Sequence, residues 1–411
     1  MSEQHPSAVV KVHGPQRFAT LAEDSITSKK IDINYRRNKK QDHTSLLDEA
    51  GRNFSYADCK DSYWNPEPFS LLYGTPIWEE ASASQRILLN QLYWVAYYSQ
   101  IISAEIATIF FNQTSAAGLF GIEHFRHVCD MLDLESNQER AHIGAFRRVI
   151  DEVEQTLFGR RVFGYPMRSP YAETMIFKDS GPFKRFWKGI QLRAFGLLSS
   201  GNAFIACQYF LIRGLRTLSG KLIQHQLSQF YKYHPAHDTD RPTDDAIPIP
   251  SRISYYHYCD ESYHFNSSTI LSHDVIHSLP KPTTFERAVV NLGVLGCQKD
   301  HASISAIVKG IFWDDSQAFE TIYNILRSPH FGLEHQEALL KLEQTFCQEN
   351  DGLHQAVDTH TLAQNSYRQY LADLDFITAT NKEMAWMRRA TLSRTLHRNQ
   401  KAMAVFRRQH R

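Results

Sequence analysis

The chain has 411 residues, is 42% hydrophobic and 22% charged, and carries a formal net charge of +1. A chain this long can bury one large helical core or two smaller ones. Its near-neutral charge provides no global field to favour nucleic acid or a membrane surface as a partner. Six cysteines, at 59, 129, 207, 259, 297 and 347, include no Cys-x-x-Cys pair and read as free thiols of a reducing compartment. The opening MSEQHPSAVVKVHGP lacks the pattern of a secretion signal, and no uncharged apolar run reaches membrane-spanning length. The expected location is therefore cytoplasmic, with no membrane span.

Residues 1–75 are polar and punctuated, with a basic run RRNKK at 36–40 and a turn-rich NPEP at 65–68, and read as an N-terminal arm of short elements. From Pro76 the pattern becomes helical. A first long helix covers SASQRILLNQLYWVAYYSQIISAEIATIFFNQ, with Ser82 or Ser84 as its cap. A second runs from about Gly118 to Leu157 with a break expected near Asp133. The Gly/Pro-rich stretch GRRVFGYPMRSPYAE connects it to a third helical region, from about Pro182 to Tyr233. HPAHDTDRPTDDAIPIP is a loop, after which Ser251 is the expected cap of a fourth helix that Pro280 and Pro282 end. These segments, 76–282, form the expected bundle, and 283–411 supplies further C-terminal helices that pack on it. With few strand signals and no internal repeat, the expected class is all-α.

The chemistry concentrates on three of these helices. YYHYCDESYHFN holds His257, Glu261 and His264 at i, i+4 and i+7, on one helical face. ESNQERAH holds Glu139 and His142 at i, i+3. Glu105 sits among Ile101, Ile102, Ile106, Ile109, Phe110 and Phe111, where an ionised carboxylate needs a cation or hydrogen bonds to offset its desolvation. A Glu and two Glu-x-x-His pairs on separate helices make most of a carboxylate-bridged di-metal site in a bundle core. Carboxylates and imidazoles suit iron and manganese. Asp260, beside Glu261, is placed to orient a ligand imidazole, and His142 is the expected one. His124 and His127 lie about three turns from Glu139 and read as surface residues.

These residues resemble the p-aminobenzoate N-oxygenase family of the ferritin-like superfamily, with His257 one turn before Glu261 as the distinctive feature. The wording from NPEPFSLLYGTPIW through LNQLYWVAYYSQIISAEIATIFFNQTSAAGL is similar to the related dimetal-carboxylate halogenases of natural-product pathways. The resemblance covers about 80–280. It implies a ferritin-like bundle and two iron ions, or an iron–manganese pair, held by Glu105, Glu139, His142, His257, Glu261 and His264. It also implies O2 and chloride as co-substrates, a fatty acyl substrate on an acyl carrier protein, and an external electron donor. The basic tail from Arg388 to Arg411 is a candidate face for an acidic carrier, or a solvated helix.

The N-oxygenase pattern has a further Glu on its third helix. Here no Asp or Glu occurs from Phe183 to Pro235. Ile205 or a neighbour is read as standing in the carboxylate's place, with Gly201, Phe204, Ile205 and Gln208 forming a pocket for halide or substrate, unless Glu173 from the connection fills in. A missing carboxylate leaves an open coordination position and removes a charge that would repel chloride. The reading is a halogenase that chlorinates an unactivated aliphatic carbon. The alternatives are an oxygenase on the same site (hydroxylating carbon or oxidising an aryl amine), a haem-oxygenase-like di-iron oxidase, or a non-catalytic helical metal-binding protein.

Overall fold

The computed structural model describes residues 25–120, 125–163, 182–238, 246–309 and 313–410, and among them every regular element is helical. Four short helices come first: α1 (Ile26–Lys40), α2 (Thr44–Arg52), α3 (Tyr56–Cys59) and α4 (Pro76–Glu80). Five long ones follow: α5 (Ala83–Phe120), α6 (Arg126–Phe158), then α7 (Pro182–Ser200) with α8 (Ala203–Lys232), and α9 (Ile249–Thr269). A π-helical stretch, Ile270–Val275, and a closing turn, Ile276–Ser278, extend α9. The C-terminal part holds α10 (Thr284–Asp300), α11 (Asp315–Leu326), α12 (His335–Cys347), α13 (Asp351–Leu371), α14 (Ala379–Lys382) and α15 (Leu392–Gln409).

α5, α6, α9 and α8 close a ring of four, each packed on the next and α8 returning to α5. α5 is apolar nearly all round and its middle is buried on every side, as a helix at the centre of a bundle must be. Ser82 and Gln85 cap it reciprocally: the Gln85 N–H donates to Ser82 Oγ and the Ser82 N–H to Gln85 Oε1, at 3.3 and 2.9 Å. α6 is continuous through Asp133, without the expected break, because Met131, Leu132 and Glu135 are all buried and held along its length. It ends at Gly159, whose φ of +63° allows the left-handed turn that closes the last carbonyl. The third helical region is two helices, not one. Gly201 and Asn202 interrupt it, and the Asn202 side chain caps α8 by accepting from the Ile205 N–H. Ser251 does not cap α9, which begins after Pro248; its hydroxyl donates instead to the Trp64 carbonyl at 2.7 Å.

The arm is tied in at several points. Asn90 of α5 accepts the Trp64 and Asn65 N–H groups at 2.8 and 3.1 Å, and α1 and α2 lie across α6 and α9. Gly51 permits the close approach of α2, since a Cβ there would stand 2.9 Å from Ala145 Cα. α10 and α13 pack on α8. All six cysteines are free. No helix among the described residues is long and apolar enough to cross a membrane.

Candidate metal centre

The ring of four brings the six carboxylate and imidazole side chains together. Glu105 comes from α5, Glu139 and His142 from α6, and His257, Glu261 and His264 from α9. One ligand atom each of Glu105, His142, His257 and Glu261 lies within 4.8 Å of the others, and so do those of Glu139, Glu261 and His264. Glu261 belongs to both groups. Glu139 also reaches both ways, with Oε2 3.5 Å from His142 Nδ1 and Oε1 3.3 Å from His264 Nδ1. His257 Nε2 stands 3.1 Å from Glu105 Oε1. Glu105, Glu139 and the three imidazoles are buried, while the Glu261 side chain keeps 13% of its surface exposed.

Whether this donor set fits a cation can be tested on its hydrogen bonds. Both Glu105 oxygens, Glu139 Oε2, His142 Nδ1 and both His257 nitrogens are buried without a hydrogen-bond partner. Buried polar atoms are normally satisfied, and so many orphans gathered on these side chains fit the donors of a cation site. The electrostatics agree. Burial drives the Glu105 carboxyl far above its ordinary range, and burial with the charge of His142 pushes His257 down to about 3. His142 and His264 go the other way: burial opposes their charge, yet the carboxylates around them raise both well above 6.5. Cations would displace those protons and pair with the carboxylates.

The three imidazoles are oriented by different means. His142 points Nδ1 at the carboxylates and its Nε2 lies 3.2 Å from Asp260 Oδ2. His264 points Nδ1 at Glu261, at 2.8 Å, and its Nε2 lies 2.9 Å from Gln138 Oε1. His257 is fixed by rings, edge-on to Tyr98 and Phe146 at centroid distances of 5.7 and 5.1 Å. These aromatics also exclude water from that side of the cluster.

The residues expected to form a halide pocket on the third helix have other neighbours. Phe204 packs edge-on against Phe376, and Gln208 turns to α10, where a Cβ on Gly293 would meet its Nε2 at 2.7 Å. Gly201 sits in the break before α8, and Ile205 is buried one turn before Tyr209. The face of α8 turned to the other core helices is set by residues further on. Tyr209 stacks on Phe111 of α5, Arg213 bonds the His264 carbonyl, and Gln224 lies beside Tyr97. Thr217 and Gly220 fall between Arg213 and Gln224 on that face. Helix pairing along α8 therefore brings the turn of Thr217 and Gly220, and not the turn of Ile205, level with the cluster. Glu173 and His124 lie outside the described residues, and His127 is half-buried.

Sequence reasoning missed a second buried layer one turn away. Arg213 Nη1 donates to Glu135 Oε2 at 2.8 Å and to Asn112 Oδ1 at 3.0 Å, Nε to Ser268 Oγ at 2.7 Å, and Nη2 to the His264 carbonyl at 2.9 Å. Ser267 Oγ donates to the other Glu135 oxygen. Glu135 stands one turn before Glu139, so the spacing E-x-x-x-E-x-x-H carried a signal. Arg213, one of four Lys and Arg residues on an acid-free helix, carried a weaker one.

The residues at this centre can be set against known proteins. No curated protein and no solved structure matches the chain. The family described as "Acyl halogenase CylC-like" matches it over residues 26–407, nearly the whole length and including every helix that contributes to the cluster. The chain belongs to the CylC-like acyl halogenase family.

Proposed function

We propose that this halogenase of acyl substrates is an O2-dependent di-iron enzyme of ferritin-like architecture, and that it chlorinates an unactivated aliphatic carbon of a fatty acyl chain carried on an acyl carrier protein. The observation that carries the reading is the pair of overlapping donor groups joined by Glu261, within a chain of this family. Glu105, His142 and His257 would hold one ion, His264 the other, with Glu139 and Glu261 shared. Bound iron would supply the reduction of O2 and the oxidising power that an unactivated C–H bond demands. The second donor group has three members where the first has four. That shortfall favours room for chloride.

The chain's own residues supply the setting. Tyr98 and Phe146 keep water from the buried side. Glu261, the one partly exposed member, marks the side from which an acyl chain approaches. There Thr217 and Gly220 are half-buried, and a Cβ on Gly220 would meet only Gln224 Nε2, at 4.0 Å. Replacing C–H by C–Cl while O2 becomes two waters consumes two more electrons and three protons, so an external electron donor is part of the proposal. In the basic tail, Arg388, Arg398 and Arg407 are engaged by Glu383, Asp314 and Glu343. Arg394, Lys401 and Arg408 remain as the face for an acidic carrier.

The test is anaerobic iron loading, exposure to O2 with chloride and a carrier-bound medium-chain acyl substrate, and the intact mass of the product. About two irons per chain and a chlorine isotope pattern are expected. A gain of one oxygen indifferent to chloride makes the protein an oxygenase, and the absence of bound iron ends the reading.

A further inference from the structure

Beyond the six converging side chains, a single file of charged groups runs from His142 to the surface. Asp260 is completely buried and faces two imidazoles. Its Oδ2 stands 3.2 Å from His142 Nε2, and its Oδ1 stands 3.1 Å from His43 Nδ1 while also accepting the His43 N–H at 3.1 Å. His43 belongs to the arm, immediately before α2, outside the ring of four helices. Its side chain is 24% exposed, against 0% for Asp260 and His142. It stacks on Tyr256 at 5.9 Å with the ring planes 17° apart, so its orientation is fixed from one face.

The protons in this file are set by Asp260. Its two oxygens face the His43 backbone N–H and ring Nδ1 on one side and the His142 ring Nε2 on the other. An ionised carboxylate only accepts, so both imidazoles donate to it: His43 through Nδ1–H and His142 through Nε2–H. With Nε2–H committed to Asp260, Nδ1, the atom that faces Glu105 and Glu139, is the one that would give its lone pair to a bound cation. A donor on the far side of a carboxylate sets how much of its negative charge reaches the imidazole on the near side.

A parallel contact reaches the other metal-side imidazole from the same arm. Gln138, which orients His264, is held in turn by Asn38 of α1, with Gln138 Nε2 donating to Asn38 Oδ1 at 2.7 Å and Asn38 Nδ2 to Gln138 Oε1 at 3.0 Å. That tether is neutral and fully buried. The His43 tether alone reaches solvent and carries a group that can change its charge.

We propose that His43 is a positioning residue of the metal centre: by holding Asp260 from the arm, it fixes the ring of His142 and sets how strongly His142 donates to a bound cation. The proposal rests on the metal reading of the site.

Two variants separate the hydrogen bond from the packing. His43→Phe keeps a ring on Tyr256 and removes the donor. His43→Asn loses the ring and restores an N–H close to the place of Nδ1. Full-length metal-free protein is titrated anaerobically with Fe(II), the ferrous spectrum is recorded, and the melting of the metal-free form is followed as a control on folding. His43→Phe is expected to weaken one of two Fe(II) sites about tenfold, the low end of the effect of removing a ligand's outer partner, with a shifted ferrous spectrum. His43→Asn is expected to recover most of the affinity despite losing the stacking. If His43→Phe binds both ions as the native chain does, or if His43→Asn is as weak as His43→Phe, the proposal is overturned and His43 is packing. A native chain that binds no iron ends the metal reading along with it. A native chain that binds two, beside an indifferent His43→Phe, ends this proposal alone.

Discussion

Replacing Arg213 by Met tests whether the layer beneath the cluster is held by charge. Arg213 and Glu135 are 7% and 0% exposed, and their closest atoms are 2.8 Å apart. Arg213→Met keeps most of the side-chain volume but leaves Glu135 buried with Ser267 as its remaining donor, and it removes the donors to Ser268 and the His264 carbonyl. Breaking a buried pair from one side costs ~3–5 kcal/mol, chiefly through the charge left behind. For 411 residues the entropy of unfolding is about 0.9 kcal/mol per kelvin. The chelator-treated variant should therefore melt ~3–6 °C below the native chain, followed by circular dichroism. Adding Glu135→Leu removes the stranded charge and should recover most of the loss, since a buried pair replaced by apolar groups is often neutral. A double variant melting as low as Arg213→Met, or a single variant within ~1 °C of native, would refute the account.

Metal stoichiometry should follow the donor groups. His257→Ala is expected to leave about one iron per chain and Glu261→Ala fewer, measured after desalting; two irons in both variants would contradict the shared role of Glu261. Away from the cluster, His301 is buried with Nε2 2.5 Å from Ser219 Oγ, and burial with the charges of His360 and Arg216 drives it well below 6.5. The unfolded chain takes up a proton below pH 6.5 that folded His301 refuses, so this contribution is full above pH 6.5 and falls as pH drops toward the folded value. Its slope approaches ~1.4 kcal/mol per pH unit. His301→Gln should flatten stability between pH 5 and 6.5 by up to that slope in urea denaturation, and an unchanged slope would refute the assignment. On α8, Thr217→Glu supplies a carboxylate on the core-facing side. It is expected to keep or raise iron affinity and to abolish chloride-dependent product, and chlorination at native yield would remove the open-position argument.

The helical class and the three helices that carry the cluster were legible because both signals are local. The i, i+3, i+4 spacings of His257, Glu261, His264, Glu139 and His142 are properties of single helices, and a Glu in an apolar run such as Glu105 advertises its desolvation problem by itself. The groups that hold the cluster in place were not legible, because their partners are far away in sequence. His43 and Asp260 are 217 residues apart, Asn38 and Gln138 are 100 apart, and Arg213 and Glu135 are 78 apart. The turn of α8 that lies level with the cluster was hidden for a related reason. Likeness of the stretch around Ile205 to a ligand-bearing helix addressed composition, while the pairing of Tyr209 with Phe111 and of Arg213 with His264 decided which turn faces the centre. The arm reads as a covering from its polar composition, yet it supplies the outer contacts of two of the three imidazoles.

Charge balance links the missing carboxylate to the proposed chemistry. Five carboxylates lie in or beside the cluster, and two of them are already committed: Asp260 to His142 and His43, and Glu135 to Arg213. Glu105, Glu139 and Glu261 remain to face the proposed pair of divalent cations. Three negative charges against four positive ones leave a surplus of one, in a site where the low dielectric makes such a surplus costly. A fourth carboxylate from α8 would cancel it, and a bound halide would then add an uncompensated negative charge beside that carboxylate. Without it, a single monovalent anion would both fill the short donor group and neutralise the proposed centre. Arg213 cannot take the place of that anion, because it is itself a cation with its own partner in Glu135. The acid-free face of α8 is thus the feature that would make chloride a structural component of the loaded site and not merely a tolerated ion.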